Sequence, residues 1–409
     1  MGLSSQFLTQ NPVLLILAAA PTWLAGIALA VSFQPAVYKR IEKWRLPLAV
    51  GLYILTRFVL FYVIYVLFSG QKVGVDLPWF QWEGEGALAG KIPYRDFRCA
   101  HAPLFPYLMA IPYGIWDYRA SSILLFILFD LVTLILLCKI SRRMLGPDHV
   151  MDTAWIYVIN PATWVLIVRC AQDESVVSAF LLLAVYLYMI GSSWWNPVVM
   201  ALGVLFTKFT TAVGMAVVYA YSKTKVRDAF TVAGLVVLVC APFYLKGADL
   251  LWPVTGQTGW IDGVSIPSVL NRLVVPPAYH LPLFYLTSIA AILGFGIVLY
   301  TGHRRGLPMV ASLTACLLIF LVFIPKSYKQ YRYWCLGPLG LHAQQTRGMS
   351  RFALYSTLLC TVDECSFRTA APAISYIEGA IMIAILYFEV RYVLEILNHQ
   401  SPNASRVSH

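Results

Sequence analysis

The chain is 409 residues long, 59% hydrophobic and only 12% charged, with a mean hydropathy of +0.71. Soluble domains do not combine so much apolar sequence with so few charges, so the composition places the chain in a bilayer. Its net charge of +11 is not a nucleic-acid signal: Lys and Arg collect on cytoplasmic loops, and zinc-finger spacing, basic helices with interleaved aromatics and RNA-binding signatures are all missing.

A bilayer-spanning helix needs about 20 mostly apolar residues. Apolar runs fall near 12–33, 47–69, 120–138, 152–168, 174–191, 198–221, 229–245, 281–300, 308–325, 334–346, 350–362 and 371–388. They predict an all-α polytopic transmembrane bundle of about 10–12 membrane segments, a single domain over 1–398, then a polar tail, 399–409, expected to be disordered. The opening MGLSSQFLTQNP lacks the basic n-region of a signal peptide, so the run at 12–33 is expected to remain as a helix. The runs at 334–346 and 350–362 are short and read as tilted, broken or partly buried.

Four basic clusters set the orientation: Lys39 to Arg45, Lys139 to Arg143, Lys223 to Arg227, and Arg304 with Arg305. All four lie inside the cell if 198–221, interrupted by Lys208 in LFTKFTT, dips in and returns instead of crossing. The segments 70–119, 169–174, 246–280, 326–333 and 363–368 then share the opposite, extracytoplasmic face. The eight cysteines form no CxxC, and most sit in apolar runs as small hydrophobes. Cys99, Cys170 and Cys365 fall outside, where a disulfide is chemically permitted.

The first large outer loop, GVDLPWFQWEGEGALAGKIPYRDFRCAHAPLFPY at 74–107, concentrates charge in a chain that otherwise avoids it. Its aromatics, Trp79, Phe80 and Trp82, suit the headgroup zone. Partial desolvation beside a low-dielectric slab raises a carboxylate's pKa and suits it to general base work. Asp76, Glu83 and Glu85 are therefore the catalytic candidates. The structural alternative is a solvated loop whose acids, Asp96 among them, pair with Arg95 and Arg98. His101 is either a hydrogen-bonded structural imidazole or a substrate contact.

Further along, VINPATWVLIVRCAQDESVV places Arg169, Gln172, Asp173 and Glu174 where one helix ends and the next begins, with Asp173 also suited to capping. A lysine amid apolar residues costs several kcal/mol unless paired or wet. Lys208 therefore needs an anion: a substrate phosphate, or Asp173 or Glu174. FIPKSYKQYRYWCLGPLG supplies Lys326, Lys329 and Arg332 among tyrosines, either as an aromatic belt with basic anchors or as a cationic clamp for phosphate.

The ordered set of Asp76, ALAGKIPYRDF…HAPLFPYL, INPATWVLIVRCAQDES, LGVLFTKFTTAV and PKSYKQYRYWCLGPL, over about residues 47–342, resembles the GT-C superfamily of polyprenyl-phosphate-sugar-dependent glycosyltransferases. The layout is similar to the catalytic subunit of GPI mannosyltransferase I and its prokaryotic multi-spanning relatives. The resemblance implies a multi-pass enzyme of the endoplasmic reticulum or plasma membrane with a lumenal or extracytoplasmic active site. It would move mannose or another hexose from a polyprenyl- or dolichyl-phosphate sugar to a lipid-linked or glycan acceptor. It also implies an acid of the first outer loop as base, which maps onto Asp76. Eukaryotic members carry Asp-x-Asp there, whereas this chain has Gly74-Val75-Asp76 and an extra leading run at 12–33.

No cofactor is expected; a divalent metal is left open as an alternative that no Asp-x-Asp motif supports. Arg95, Asp96, His101, Arg169, Gln172, Asp173, Lys208, Lys326, Lys329 and Arg332 are the expected substrate-binding residues. The partners implied are the lipid-phosphate donor, the acceptor, membrane lipids and an accessory subunit, with no nucleic acid. Two other functions fit an apolar chain with a broken intramembrane segment. One is a transporter or flippase of lipid-linked substrates, although internal repeats are missing. The other is a noncatalytic scaffold of a glycosylation complex.

Overall fold

The computed structural model describes residues 12–68, 76–256, 258–273, 275–365 and 372–398. The tail expected to be disordered and the Gly74-Val75 pair lie outside them. The described residues are almost entirely helical. The helices α1 (Pro12–Ser32), α2 (Pro35–Leu67), α3 (Leu77–Leu88), α4 (Phe105–Ile115) and α5 (Ser121–Met144) come first. A bent pair follows, α6 (Pro147–Ile159) and α7 (Pro161–Arg169). Next are α8 (Glu174–Met189), α9 (Trp195–Phe206), α10 (Thr211–Tyr221) and α11 (Lys225–Leu245). The chain ends with α12 (Ile266–Leu273), α13 (His280–Arg304), α14 (Met309–Phe323), α15 (Tyr333–Gln345), α16 (Met349–Cys365) and α17 (Pro372–Asn398).

Proline has a fixed φ and no N–H, which suits a helix's first turn, and Pro12, Pro35, Pro147, Pro161 and Pro372 each open a helix. Among the described residues four helices, α2, α5, α11 and α13, are long and apolar enough to cross a bilayer, and α6–α7 makes a fifth if its 60° bend belongs to one broken span. Asn160 sets that bend by accepting the Ala162 N–H at 2.9 Å. The helices α8, α9, α10 and α14 are apolar but only 10–17 residues long, so fewer segments than expected meet the spanning criterion on their own.

The short α15 lies at the centre. Tyr333, Trp334, Cys335, Leu336, Leu339 and Leu341 are buried against α5, α6, α8, α14 and α16. Gly337 permits this packing, since a Cβ there would meet Leu137 Cδ1 at 2.5 Å. Charges inside the bundle are paired, as a low-dielectric interior demands. Arg57, with no exposure, donates to Asp130 at 3.1 Å and to Thr163 Oγ1 at 2.8 Å. The hydroxyls of Tyr157 and Tyr333 complete the shell around Asp130. Arg332, equally enclosed, donates to Glu389 at 2.8 Å, and Tyr355 donates to the same carboxylate at 3.0 Å.

Contacts between helix ends bring the four basic clusters to one end of the bundle. Arg45 and Tyr38 meet Asp152, and Arg143 reaches the Met189 carbonyl. Arg227 donates to the Ser193 carbonyl, Tyr221 to the Leu307 carbonyl, and Arg305 to the Leu397 carbonyl. The helices α9 and α10 therefore leave this end and come back to it. Lys208, in the turn between them, stands at the far end against Asp173 and Glu174. The segment 198–221 thus runs from the basic end to the far end and back within the bundle.

Candidate functional site at the far end of the bundle

The far end gathers α3, the loop 89–104, the α7–α8 break, the α9–α10 turn and the α14–α15 connection. On α3 the spacing decides which acid faces inward: Leu77, Phe80, Glu83 and Gly84 form the buried face, while Trp79, Trp82 and Glu85 point away. Residues three and four apart share a helix face, so the two glutamates, two positions apart, part company. Glu85 accepts from Gln81 at 2.6 Å on the exposed side. Glu83 faces His101, with Nδ1 at 3.0 Å from Oε2.

His101 stacks on Phe105 with ring centroids 3.9 Å apart, and its Nε2 lies 3.6 Å from Asp173 Oδ2. Burial works against the imidazolium, but Glu83 and then Asp173 outweigh it, so His101 titrates above its ordinary range. The α7–α8 break presents Asp173 and Glu174 together, both inside the protein. Lys208 bridges them at 2.8 and 2.6 Å. Trp334 donates its indole N–H to the other oxygen of Glu174. The Lys208 ammonium lies 5.1 Å from the Tyr331 ring centre, and that ring stacks on Trp334 at 5.2 Å. Of the partners expected for Lys208, the protein's own acids, Asp173 and Glu174, are the ones beside it.

Asp76 is half-buried at the start of α3. Its Oδ2 accepts from Gln172 Nε2 at 2.9 Å, and the same amide donates to the Cys170 carbonyl at 2.9 Å. Beside it, Lys326 opens the strand β2 (Lys326–Ser327), which runs parallel to β1 (Asp262–Gly263). Gly263, at φ +95°, is required there, because a Cβ would meet the Ser327 carbonyl oxygen at 2.2 Å. The Lys326 ammonium sits 4.2 Å from the Trp260 ring centre and 5.4 Å from that of Tyr328. Burial, then the nearby Lys208 charge, push Lys326 down to about 8 against the pull of Asp262 and Asp76.

The other expected residues scatter. Arg95 and Asp96 pair at 2.8 Å on the surface. Asp96 also accepts the Ile92 N–H at 2.7 Å, and Arg95 donates to the Lys246 carbonyl at 3.3 Å. The Arg95 bond, then the Ile92 N–H, hold Asp96 below the usual carboxylate range. This pair staples a turn and stands apart from Asp76. Arg332 is sealed against Glu389, Ser327 and the Val264 carbonyl, so it braces the β1–β2 pair and is turned away from any substrate. Arg169 and Lys329 lie close together beside Cys170 and Cys360. Cys99 and Cys170 are free thiols, and the Cys365 side chain falls outside the described residues.

Arg57, Asp130, Glu389 and Trp334 are absent from the sequence-based expectations. Arg57 and Asp130 carried a usable signal, a lone charge in an apolar run in LTRFVL and LFDLV; it is the same signal that singles out Lys208, whereas Glu389 has Arg391 two residues on in YFEVRY. With a half-buried carboxylate held by an amide, a lysine over aromatic rings and a buried acid–base chain behind them, the far end can accept a proton and neutralise an anion. Comparison with known proteins returns no match: no family model, no curated protein and no solved structure corresponds to this chain.

Proposed function

We propose that the protein is a membrane glycosyltransferase of the GT-C type. It moves a hexose, mannose first among the candidates, from a polyprenyl- or dolichyl-phosphate donor to a lipid-linked or glycan acceptor on the extracytoplasmic or lumenal face. The observation that carries this reading is Asp76, half-buried, oriented by Gln172 at 2.9 Å and close enough to Lys326 for its charge to be felt there. Of the three candidate acids, Glu85 faces outward and Glu83 is engaged with His101. Asp76 alone combines partial access with a positioning partner. In this reading Asp76 takes the acceptor hydroxyl proton. Lys326 meets the charge that develops on the departing lipid phosphate, where cations favour the transition state over the ground state. Trp260 and Tyr328 supply ring faces for the sugar.

The test is transfer of radiolabelled sugar from a polyprenyl-phosphate donor by the purified full-length protein. Asp76→Asn should lower turnover about 100-fold or more, as expected for loss of a general base, with the protein still folded. Near-normal turnover in that variant would remove Asp76 from the role. A flippase remains the second reading because of the α9–α10 hairpin, whose broken apex resembles the interrupted helices of transporters. Movement of a lipid-linked sugar between leaflets without transfer would select it.

A further inference from the structure

We propose that Glu83, Cys99 and His101 form a zinc site that locks the outer loop onto α3. Their three ligand atoms lie within 4.8 Å of one another, and all three residues are buried. Glu83 is 2% exposed, Cys99 1% and His101 8%. Cys99 and His101 stand two positions apart in the chain and arrive from the loop, whereas Glu83 arrives from the inward face of α3. The site therefore ties two elements together and escapes any search for paired-cysteine spacing.

The donor set selects the metal. Thiolate, imidazole and carboxylate together suit zinc, whereas calcium and magnesium prefer oxygen alone. A tetrahedron drawn on zinc bonds of about 2.0–2.2 Å has edges of about 3.3–3.6 Å, so the 3.0 Å between His101 Nδ1 and Glu83 Oε2 has to open by a few tenths of an ångström to take the ion. Cys99 Sγ lies within 4.8 Å of both ligand atoms, and its thiol donates to the His101 carbonyl at 3.5 Å, a bond that ligation would replace. A thiolate and a carboxylate cancel the ion's two charges, so the loaded site adds no net charge to an interior that tolerates little.

A second observation supports the assignment. Ligation through Nδ1 leaves the proton on Nε2, and a zinc-bound histidine characteristically donates that proton to a carboxylate. Asp173 Oδ2 lies 3.6 Å from Nε2. It is buried and makes no hydrogen bond among the described residues, and its sister oxygen is held by Lys208. Phe105 stacked on the imidazole and the Tyr94 hydroxyl donating to the His101 carbonyl fix the ring in this orientation. The fourth position falls to water or to the second carboxylate oxygen of Glu83.

The experiment uses the purified full-length protein and the metal alone. Zinc content is measured after dialysis against micromolar zinc, and the cobalt-substituted protein is examined for thiolate-to-cobalt charge transfer. The expected result is one zinc per chain and a thiolate band in the cobalt form. Both should be lost in Cys99→Ser and retained in Cys170→Ser, with Glu83→Gln losing most of the metal. Wild-type protein that takes up neither metal, or a folded Cys99→Ser variant that keeps the band, overturns the proposal. If Cys99→Ser fails to fold, the wild-type cobalt spectrum decides alone, and a spectrum without a thiolate band overturns it.

Discussion

Lys208 and Lys326 are neighbouring basic residues with different carboxylates beside them, Asp173 and Glu174 for the first and Asp262 and Asp76 for the second, and their surroundings give them opposite roles. Lys208 bridges Asp173 and Glu174 at 2.8 and 2.6 Å, so its charge is already spent within the protein. Removing one partner of a buried pair leaves uncompensated charge and costs about 3–5 kcal/mol. Lys208→Met should therefore lower the thermal midpoint in detergent, and Glu174→Gln on top of it should recover part of the loss. A Lys208→Met protein as stable as its parent contradicts this bridging role. Lys326 is pushed down to about 8 by burial and by Lys208, so it discharges within an accessible pH range. Two effects of opposite sign follow. If Lys326 meets the donor phosphate, donor affinity falls as pH rises through about 8. Because the folded chain binds fewer protons than the unfolded one between about 8 and the ordinary lysine value near 10.4, stability rises over the same interval. Donor KM and thermal midpoint measured together across that range, beside Lys326→Met, separate the two. A donor KM that stays flat with pH in the wild type removes Lys326 from phosphate binding.

At the scale of elements, the α9–α10 hairpin was legible because two independent signals agreed. Lys208 interrupts an apolar run that is too long to be a loop, and Lys223, Lys225 and Arg227 fit the basic end only if the chain turns back. The structure makes the turn at Thr207–Thr210 and returns Arg227 to the Ser193 carbonyl. Single cysteines placed at Arg143 and Lys225 should therefore react with an impermeant maleimide from one side of the membrane, and one at Lys91 from the other. Labelling of the Lys225 position on the side of Lys91 would mean that this segment crosses. The division of labour on α3 was less legible. Sequence alone keeps Asp76, Glu83 and Glu85 as equals. The choice depends on the rotation of α3 against α4, fixed by close approach at Gly84, where a Cβ would meet Tyr113 Cδ2 at 2.5 Å. The scatter of Arg95, Asp96 and Arg332 has the same origin: sequence places all three near the outer loops, but only tertiary packing decides which of them face inward.

At the scale of the whole molecule, composition carried the helical class, and the basic clusters carried the common end they share. What composition did not carry is the set of interior charges. Arg57–Asp130 joins α2 to α5, and Arg332–Glu389 joins the α14–α15 connection to α17. These pairings span far-separated parts of the chain, so neither partner predicts the other locally. The first of them bears on how the chain is built. An arginine at the centre of a membrane helix raises the cost of insertion by roughly 2.5–3.5 kcal/mol, and α2 leaves the ribosome well before Asp130 is made. If both helices cross a bilayer, α2 is made with a charge whose partner does not yet exist, and α5 brings the carboxylate that neutralises it. The order in which the ribosome delivers the two halves of this ion pair would then tie the insertion of α2 to that of α5, although α3 and α4 lie between them in the chain.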